Sequence, residues 1–367
     1  MLFRSAPWAA AWLVLGPCLF LAPASAAGRP NEKVSTAPVP EGGEPMAAKC
    51  DSEGTIHLVY QTSDGPRYAA SADGGKTFGH PKPVVDRASR KPGLEFNVWD
   101  LMVGPDGAVH VALGTNAWKL KLPKPQWGFH YARLDRGAKA FSPVQNVNLR
   151  PSEGYSLAAN DKGDVTACWL ADKLYANVSH DGGKTFGPTV EIDPSLNPCN
   201  CCTTSCAYGA DGKLAVLYRE ETNNDRDMYL VLWDQASGKS TRTRIGEAPW
   251  QTDSCPMTYY SISPAAEGFV AAWPTQGEIY FARLDARGKS LGPAEIRTPG
   301  ACGHRTGIVA LSDPEGDLLV AWKKDGRLGW QLYDREGRPA APSGSADSPG
   351  AGAAAVLTTD GRFVVFR

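Results

Sequence analysis

One turn recurs seven times along this chain, and that repeat restricts the possible folds more than any other feature. Each copy is a glycine turn, usually acidic, preceded by a small or apolar segment and followed by an apolar alternating one. The turns are Glu53-Gly54, Asp106-Gly107, Lys162-Gly163, Asp211-Gly212, Glu267-Gly268, Glu315-Gly316 and Asp360-Gly361. Their glycines are spaced by 53, 56, 49, 56, 48 and 45 residues. Glycine supplies the positive φ that tight hairpins need, and alternation puts one face of each following strand in a core. Repeats of this length, each a hairpin and more, correspond to one four-stranded propeller blade apiece.

The rest of each repeat fits that reading. Third strands are predicted at Arg67–Ala70, Leu174–Val178, Met228–Trp233, Ile279–Leu284 and Leu328–Tyr333. Fourth strands bounded by proline are predicted at Lys82–Val85 and Thr189–Ile192, since proline tolerates a sheet edge. Between strands three and four lie two matching octapeptides, Ser71-Ala72-Asp73-Gly74-Gly75-Lys76-Thr77-Phe78 and Ser179-His180-Asp181-Gly182-Gly183-Lys184-Thr185-Phe186. Weaker versions follow Leu134, Leu284 and Tyr333. In such a turn the aspartate accepts backbone N–H bonds, the glycines take unusual dihedrals and the aromatic packs beneath. Ser71, Asp73, Gly75, Thr77 and Phe78, with Ser179, Asp181, Gly183, Thr185 and Phe186, are therefore assigned to folding rather than to chemistry.

On these octapeptides, S-x-D-G-G-x-T-F, the chain resembles the sialidase-like Asp-box (BNR repeat) β-propeller family, in a non-catalytic or divergent branch, over residues 45–367. Sialidases of that family are usually six-bladed. Seven hairpins favour an all-β propeller of seven blades, six being the alternative. Val34–Val39 is then expected to add an outer strand beside Ala353–Arg367 and close the ring. The domain reading is a leader over 1–26, an N-terminal segment over 27–44 and one propeller over 45–367.

The leader is read from Arg4, the apolar run Ala6–Ala22 and the small residues Ala24-Ser25-Ala26, with cleavage expected after Ala26. Export to the periplasm or the extracellular space follows, and no membrane span is expected, because the run is short and broken by proline. The 39 glycines, 29 prolines and 11 tryptophans suit short strands and tight turns. With 38 basic against 39 acidic residues and no basic stripe, a nucleic-acid partner is not expected. A monomer without a cofactor is expected.

Propeller topology sorts the loops. Hairpin turns and Asp boxes share one face, while loops between strands two and three and between blades share the other, where propellers bind ligands. The unusual residues fall on that second face: Cys199-Asn200-Cys201-Cys202-Thr203-Thr204-Ser205-Cys206 before blade 4, Trp250–Pro256 with Tyr259 and Tyr260 before blade 5, and Cys302-Gly303-His304-Arg305 before blade 6. Blade 2 adds Glu95, Trp99 and Asp100, and a longer loop with Trp118 and Trp127. Loops on a rigid scaffold concentrate function, so Trp99, Arg219, Arg226, Trp250, Tyr259, His304 and Arg305 are the candidate ligand-binding residues.

In an exported chain Cys199, Cys201, Cys202, Cys206, Cys255 and Cys302 are expected to form disulfides that tie the irregular loops together. Eight cysteines beyond the leader allow 105 pairings, and only the adjacency of Cys201 and Cys202 constrains them, to different partners. Cys50 and Cys168 fall on strands, as buried thiols. A thiolate site for copper(I) or zinc is the sharper alternative. A redox-active pair is a third, although no Cys-x-x-Cys lies in a βαβ context. The histidines offer no ligand set, since only His304 lies among the candidates.

The family resemblance implies a test for sialidase chemistry: three arginines on a substrate carboxylate, a tyrosine nucleophile activated by a glutamate, and an aspartate acid/base. Arg219, Arg226 and Arg305, with Glu220 or Glu221, Asp227, and Tyr259 or Tyr260, are the residues available. The bland reading of Arg219 and Arg226 is loop ion pairing with Glu220, Glu221 and Asp227. The family's early F/Y-R-I-P motif has no counterpart in residues 27–60, where the stretch reads Glu44-Pro45-Met46-Ala47-Ala48-Lys49-Cys50. The sequence therefore favours binding of a carbohydrate or protein over catalysis, with a divergent glycoside hydrolase as the alternative.

Overall fold

A computed structural model describes residues 1–2, 33–86, 91–195, 197–293 and 295–367. The leader expected over residues 1–26 lies outside the described residues apart from Met1 and Leu2. The chain folds as a seven-bladed β-propeller: six four-stranded antiparallel sheets and one three-stranded sheet. Blade 4 is representative, with strands Thr204–Tyr208, Leu214–Arg219, Met228–Asp234 and Lys239–Arg244 running from the axis outward. The inner strands of successive blades touch in a closed ring, in which Glu44–Cys50 of blade 1 packs against Ala354–Leu357 of blade 7. No helix among the described residues is long and apolar enough to cross a membrane.

The two ends of the chain close the ring. Val34–Ala37 pairs in parallel with Phe363–Phe366, so blade 7 holds two C-terminal strands and one N-terminal strand. Lys33 anchors the junction through ion pairs of 2.8 and 2.7 Å to Asp313 and Asp317 of blade 6. Ala37 and Val39 are buried against blades 1 and 7.

The second strands are buried on both faces, not on one as alternation alone would suggest. Every residue of Leu214–Arg219 is buried, because blades 3 and 5 cover the two sides of the blade 4 sheet. Near the axis, polar side chains stitch blade to blade. The Leu157 N–H donates to Asp100 (2.8 Å), the Ile262 N–H to Ser205 (3.0 Å) and the Ala310 N–H to Ser261 (2.9 Å).

The two octapeptide turns are built alike. Asp181 accepts the Thr185 N–H at 2.9 Å and the Thr185 hydroxyl at 2.6 Å, while Ser179 accepts the Gly183 N–H at 2.7 Å. Asp73, Thr77, Ser71 and Gly75 repeat the pattern. Gly183 sits at φ +82°, and a Cβ there would collide with the Tyr131 hydroxyl of the preceding blade. Phe186 packs edge-on against Tyr131, as Phe78 does against Phe366. Each turn is thus a clamp between neighbouring blades. Ion pairs Arg136–Glu53 and Arg335–Glu267 join the weaker third-to-fourth-strand turns after Leu134 and Tyr333 to the hairpins of adjacent blades, so both kinds of turn share one face.

Candidate functional site

On the opposite face, an axial channel of roughly 130 Å³ runs between the inner strands. Its lining includes Trp99, Tyr155 and Tyr259. Trp99 sits where a bulge interrupts the pairing of Phe96–Val103 between Val98 and Asp100, and an extra residue at a bulge re-aims its side chain. The indole lies 5.0 Å from the Tyr155 ring of blade 3 and 6.0 Å from the Tyr259 ring, which belongs to the segment before blade 5. Gly114 makes room for it, since a Cβ there would fall on the indole nitrogen.

Charge gathers beside these rings. Glu153 begins the inner strand of blade 3 and keeps an exposed edge, yet crowding raises its pKa, against the opposing pull of Arg305. Burial also raises the Tyr259 phenol, again opposed by Arg305. Arg305 and His304 are exposed, and Arg305 takes φ +52° in a turn whose N–H donates to the Met257 carbonyl at 2.8 Å. Two partly exposed rings, Trp99 and Tyr259, with Tyr155 buried against Trp99, thus stand near one exposed guanidinium and one carboxyl on this part of the face. Such a set can stack against an apolar ring face and hydrogen-bond its edge.

The second cluster is buried beneath the loops before blades 4 and 5. One disulfide, Cys201–Cys255, joins those loops. Of the six cysteines expected in disulfides, the other four, Cys199, Cys202, Cys206 and Cys302, stand as thiols in this structure. Cys206 faces Ser156 and the Cys168 thiol, and Cys302 contacts Thr306, so neither joins the sulfurs at the bridge. Cys199 and Cys202 do approach the bridge. The Cys199 sulfur is 3.3 Å from that of Cys202 and 3.5 Å from that of Cys201. Because Cys201 is bonded to Cys255, this cluster offers two thiols and not the four of a closed thiolate zinc site. Cys50 is half-buried and Cys168 buried, both as thiols.

Arg219 and Arg226 belong to this cluster. Arg219 is 0 % exposed, and its terminal nitrogens donate to the carbonyls of Arg226 and Pro274. Its guanidinium stacks over Trp250 at 4.7 Å and Tyr260 at 5.6 Å. Arg226 donates to the Cys199 sulfur at 3.3 Å and lies 3.8 Å from Glu221. The Nε atoms of both arginines have no hydrogen-bond partner among the described residues.

The three arginines thus do not meet around an open pocket, since only Arg305 is exposed. Glu220 and Asp227 lie toward the outer strand Lys239–Arg244, where Asp227 pairs with Arg244 at 2.9 Å, while Tyr259 faces the axis. Burial raises the Glu220 carboxyl, and the like charges of Asp227 and Asp225 add to it. Arg219 also forgoes the loop ion pairs foreseen for it, because its partners are main-chain oxygens.

Sequence reasoning passed over Glu153, Tyr155, Gly114 and Lys323. Lys323 stands one residue before the end of the second strand of blade 6, much as Arg219 ends that of blade 4, and is fully buried with its ammonium on the carbonyls of Ser348 and Pro349. Both cations follow their hairpin glycine by seven positions, a signal that aligning the repeats would have exposed.

No protein-family model matches the chain, and no curated protein is similar to it in sequence. Solved propellers share its fold. A chain of the mitotic checkpoint complex has a TM-score of 0.55 at 10% identity, covering 87% of this chain and 85% of that one. A polysaccharide lyase, ulvan lyase bound to a GlcA(1-4)Rha3S segment, has a TM-score of 0.53 at 12% identity, covering 86% and 87%. The α-L-arabinanase of Penicillium chrysogenum complexed with arabinobiose has a TM-score of 0.52 at 15% identity, covering 80% and 94%. At these identities the likeness is one of fold alone.

Proposed function

We propose that this chain is an exported carbohydrate-binding propeller of the Asp-box type, holding an oligosaccharide at the axial mouth opposite its Asp-box turns. The observation that carries this reading is the pairing of Trp99 and Tyr259, backed by the buried Tyr155, beside Arg305 and Glu153. Aromatic faces present apolar area with little entropy to lose, and the charged pair supplies directional bonds at the rim. Arg305 fits a sugar carboxylate, because a guanidinium pairs it with two parallel hydrogen bonds. Propellers of like fold that hold a GlcA(1-4)Rha3S segment and arabinobiose lend the reading support, as the Cys201–Cys255 bridge does for export. Binding is preferred to sialidase-like hydrolysis because Arg219 and Arg226 are buried around the thiols and Tyr259 lacks the neighbouring Glu220 or Asp227 that catalysis would need.

The test is calorimetric titration of the full chain with uronic-acid oligosaccharides and with neutral oligosaccharides of equal length. Preference for the acidic series, lost in Arg305→Ala, is the expected result. Equal affinity for the two series, or binding that Arg305→Ala leaves unchanged, would remove Arg305 from the site.

A further inference from the structure

The buried sulfur cluster borders the aromatic mouth, with Cys202 against Gly154 and Thr258, and its composition calls for a role of its own. Two guanidiniums are buried there with little carboxylate to balance them. Arg219 meets carbonyl oxygens and aromatic faces, and Arg226 has Glu221 at 3.8 Å and the Cys199 sulfur at 3.3 Å. Burying charge without a full counter-charge is costly, and besides Glu221 the cluster holds the thiols of Cys199 and Cys202 as groups able to carry a negative charge. Three sulfurs stand within 4.8 Å of one another, and one of them is already half of a disulfide.

From this geometry we infer that Cys199, Cys202, Cys201 and Cys255 form a thiol–disulfide exchange site, passing two electrons from a buried Cys-x-x-Cys dithiol to the outer bridge. The Cys199 thiolate, held by Arg226, attacks the Cys201 sulfur 3.5 Å away. The Cys199–Cys201 bond forms, the Cys201–Cys255 bond breaks, and its electron pair leaves on Cys255. Cys202 then attacks Cys199, 3.3 Å away, forming the Cys199–Cys202 bond and releasing Cys201 as a thiolate. The protons given up by Cys199 and Cys202 are taken by Cys255 and Cys201. The inner pair ends oxidised and the outer pair reduced, with atoms, electrons and protons conserved. Exchange proceeds through a thiolate, and Cys199 is the sulfur placed to be one: it accepts hydrogen bonds from the Arg226 guanidinium and from the Cys202 thiol, both at 3.3 Å. Cys199 and Cys202 are buried, whereas Cys201 and Cys255 are half-buried, so the outer pair is the one open to external thiols.

The experiment is disulfide mapping on the full chain without reductant. The protein is equilibrated at neutral pH, quenched in acid, alkylated and digested, and its bridges are read by mass spectrometry. Two populations are expected, Cys201–Cys255 and Cys199–Cys202, each with the other two sulfurs alkylated. Starting from either population, the other should appear with time, and in Arg226→Met about threefold more slowly, the net effect of a one-unit rise in the attacking thiol's pKa once its higher nucleophilicity is counted. Wild-type protein alone decides the matter if that variant fails to fold. A single Cys201–Cys255 pairing that never redistributes would overturn the proposal. So would four reduced cysteines holding zinc or copper at one ion per chain.

Discussion

Trp99 of blade 2 and Tyr259 of the segment before blade 5 meet with ring centroids 6.0 Å apart, tilted at 44°. Those blades are not neighbours, so the contact spans the axis, and the mouth is shaped by both rings together. Gly114 holds the arrangement in place from behind. Replacing a strand glycine by alanine ordinarily favours the strand by about 0.5–1 kcal/mol. Here the added methyl meets the Trp99 indole, and overpacking of this kind costs about 1–3 kcal/mol. Gly114→Ala should therefore lower the denaturant midpoint and perturb tryptophan emission, whereas a midpoint at or above wild type would show that Trp99 is not fixed there.

Acid should loosen the clamps between blades. The Thr77 hydroxyl and N–H draw the Asp73 carboxyl down to about 2, and the matching bonds from Thr185 draw Asp181 lower still. A carboxylate with a depressed folded pKa contributes stability above its unfolded pKa, near 3.9, which is lost as pH falls through the folded value. Melting temperature should drop from about pH 4 toward pH 2, and the slope should be shallower in the double variant Asp73→Asn, Asp181→Asn. Gly183→Ala, forced to keep a positive φ, should cost about 1–2 kcal/mol from the backbone alone.

Arg219 should be among the costliest positions to change. Arg219→Met keeps the apolar stem and leaves the carbonyls of Arg226 and Pro274 without their donor. Each unsatisfied buried group costs about 1–3 kcal/mol, so the expected loss from the two carbonyls is about 2–6 kcal/mol by chemical denaturation. A loss below about 1 kcal/mol would mean that water replaces the guanidinium.

Ring closure depends on a short N-terminal strand. Removing residues up to Val39 takes away the partner of Phe363–Phe366 and the burial of Val39, which alone is worth about 1.5–3 kcal/mol. The unpaired edge would then be open to other chains. Self-association in gel filtration with a lowered melting temperature is expected. An unchanged, monodisperse protein would mean that blade 7 closes on two strands.

Most of the fold was legible because glycine turns and buried strands are local signals. Third strands predicted at Met228–Trp233 and Leu328–Tyr333 form at Met228–Asp234 and Arg327–Tyr333. The closing strand was legible too, because a ring with a short last repeat needs a partner for it. The site was less so. Face assignment follows from topology, but whether Arg219 points to solvent or under Trp250 depends on packing across blades 4 and 5. Tyr155 was passed over because nothing local distinguishes it from a core tyrosine, and the cysteine pairing is decided by loops that meet only in three dimensions.

The central claim, an oligosaccharide held at the axial mouth, is tested most directly by glycan-array binding of the full chain beside Trp99→Ala and Tyr259→Ala. The account predicts a defined set of retained glycans, with signal in both variants reduced about tenfold or more, the scale expected when an aromatic anchor is removed. Retention of no glycan by folded wild-type protein, or equal retention by all three proteins, would contradict it.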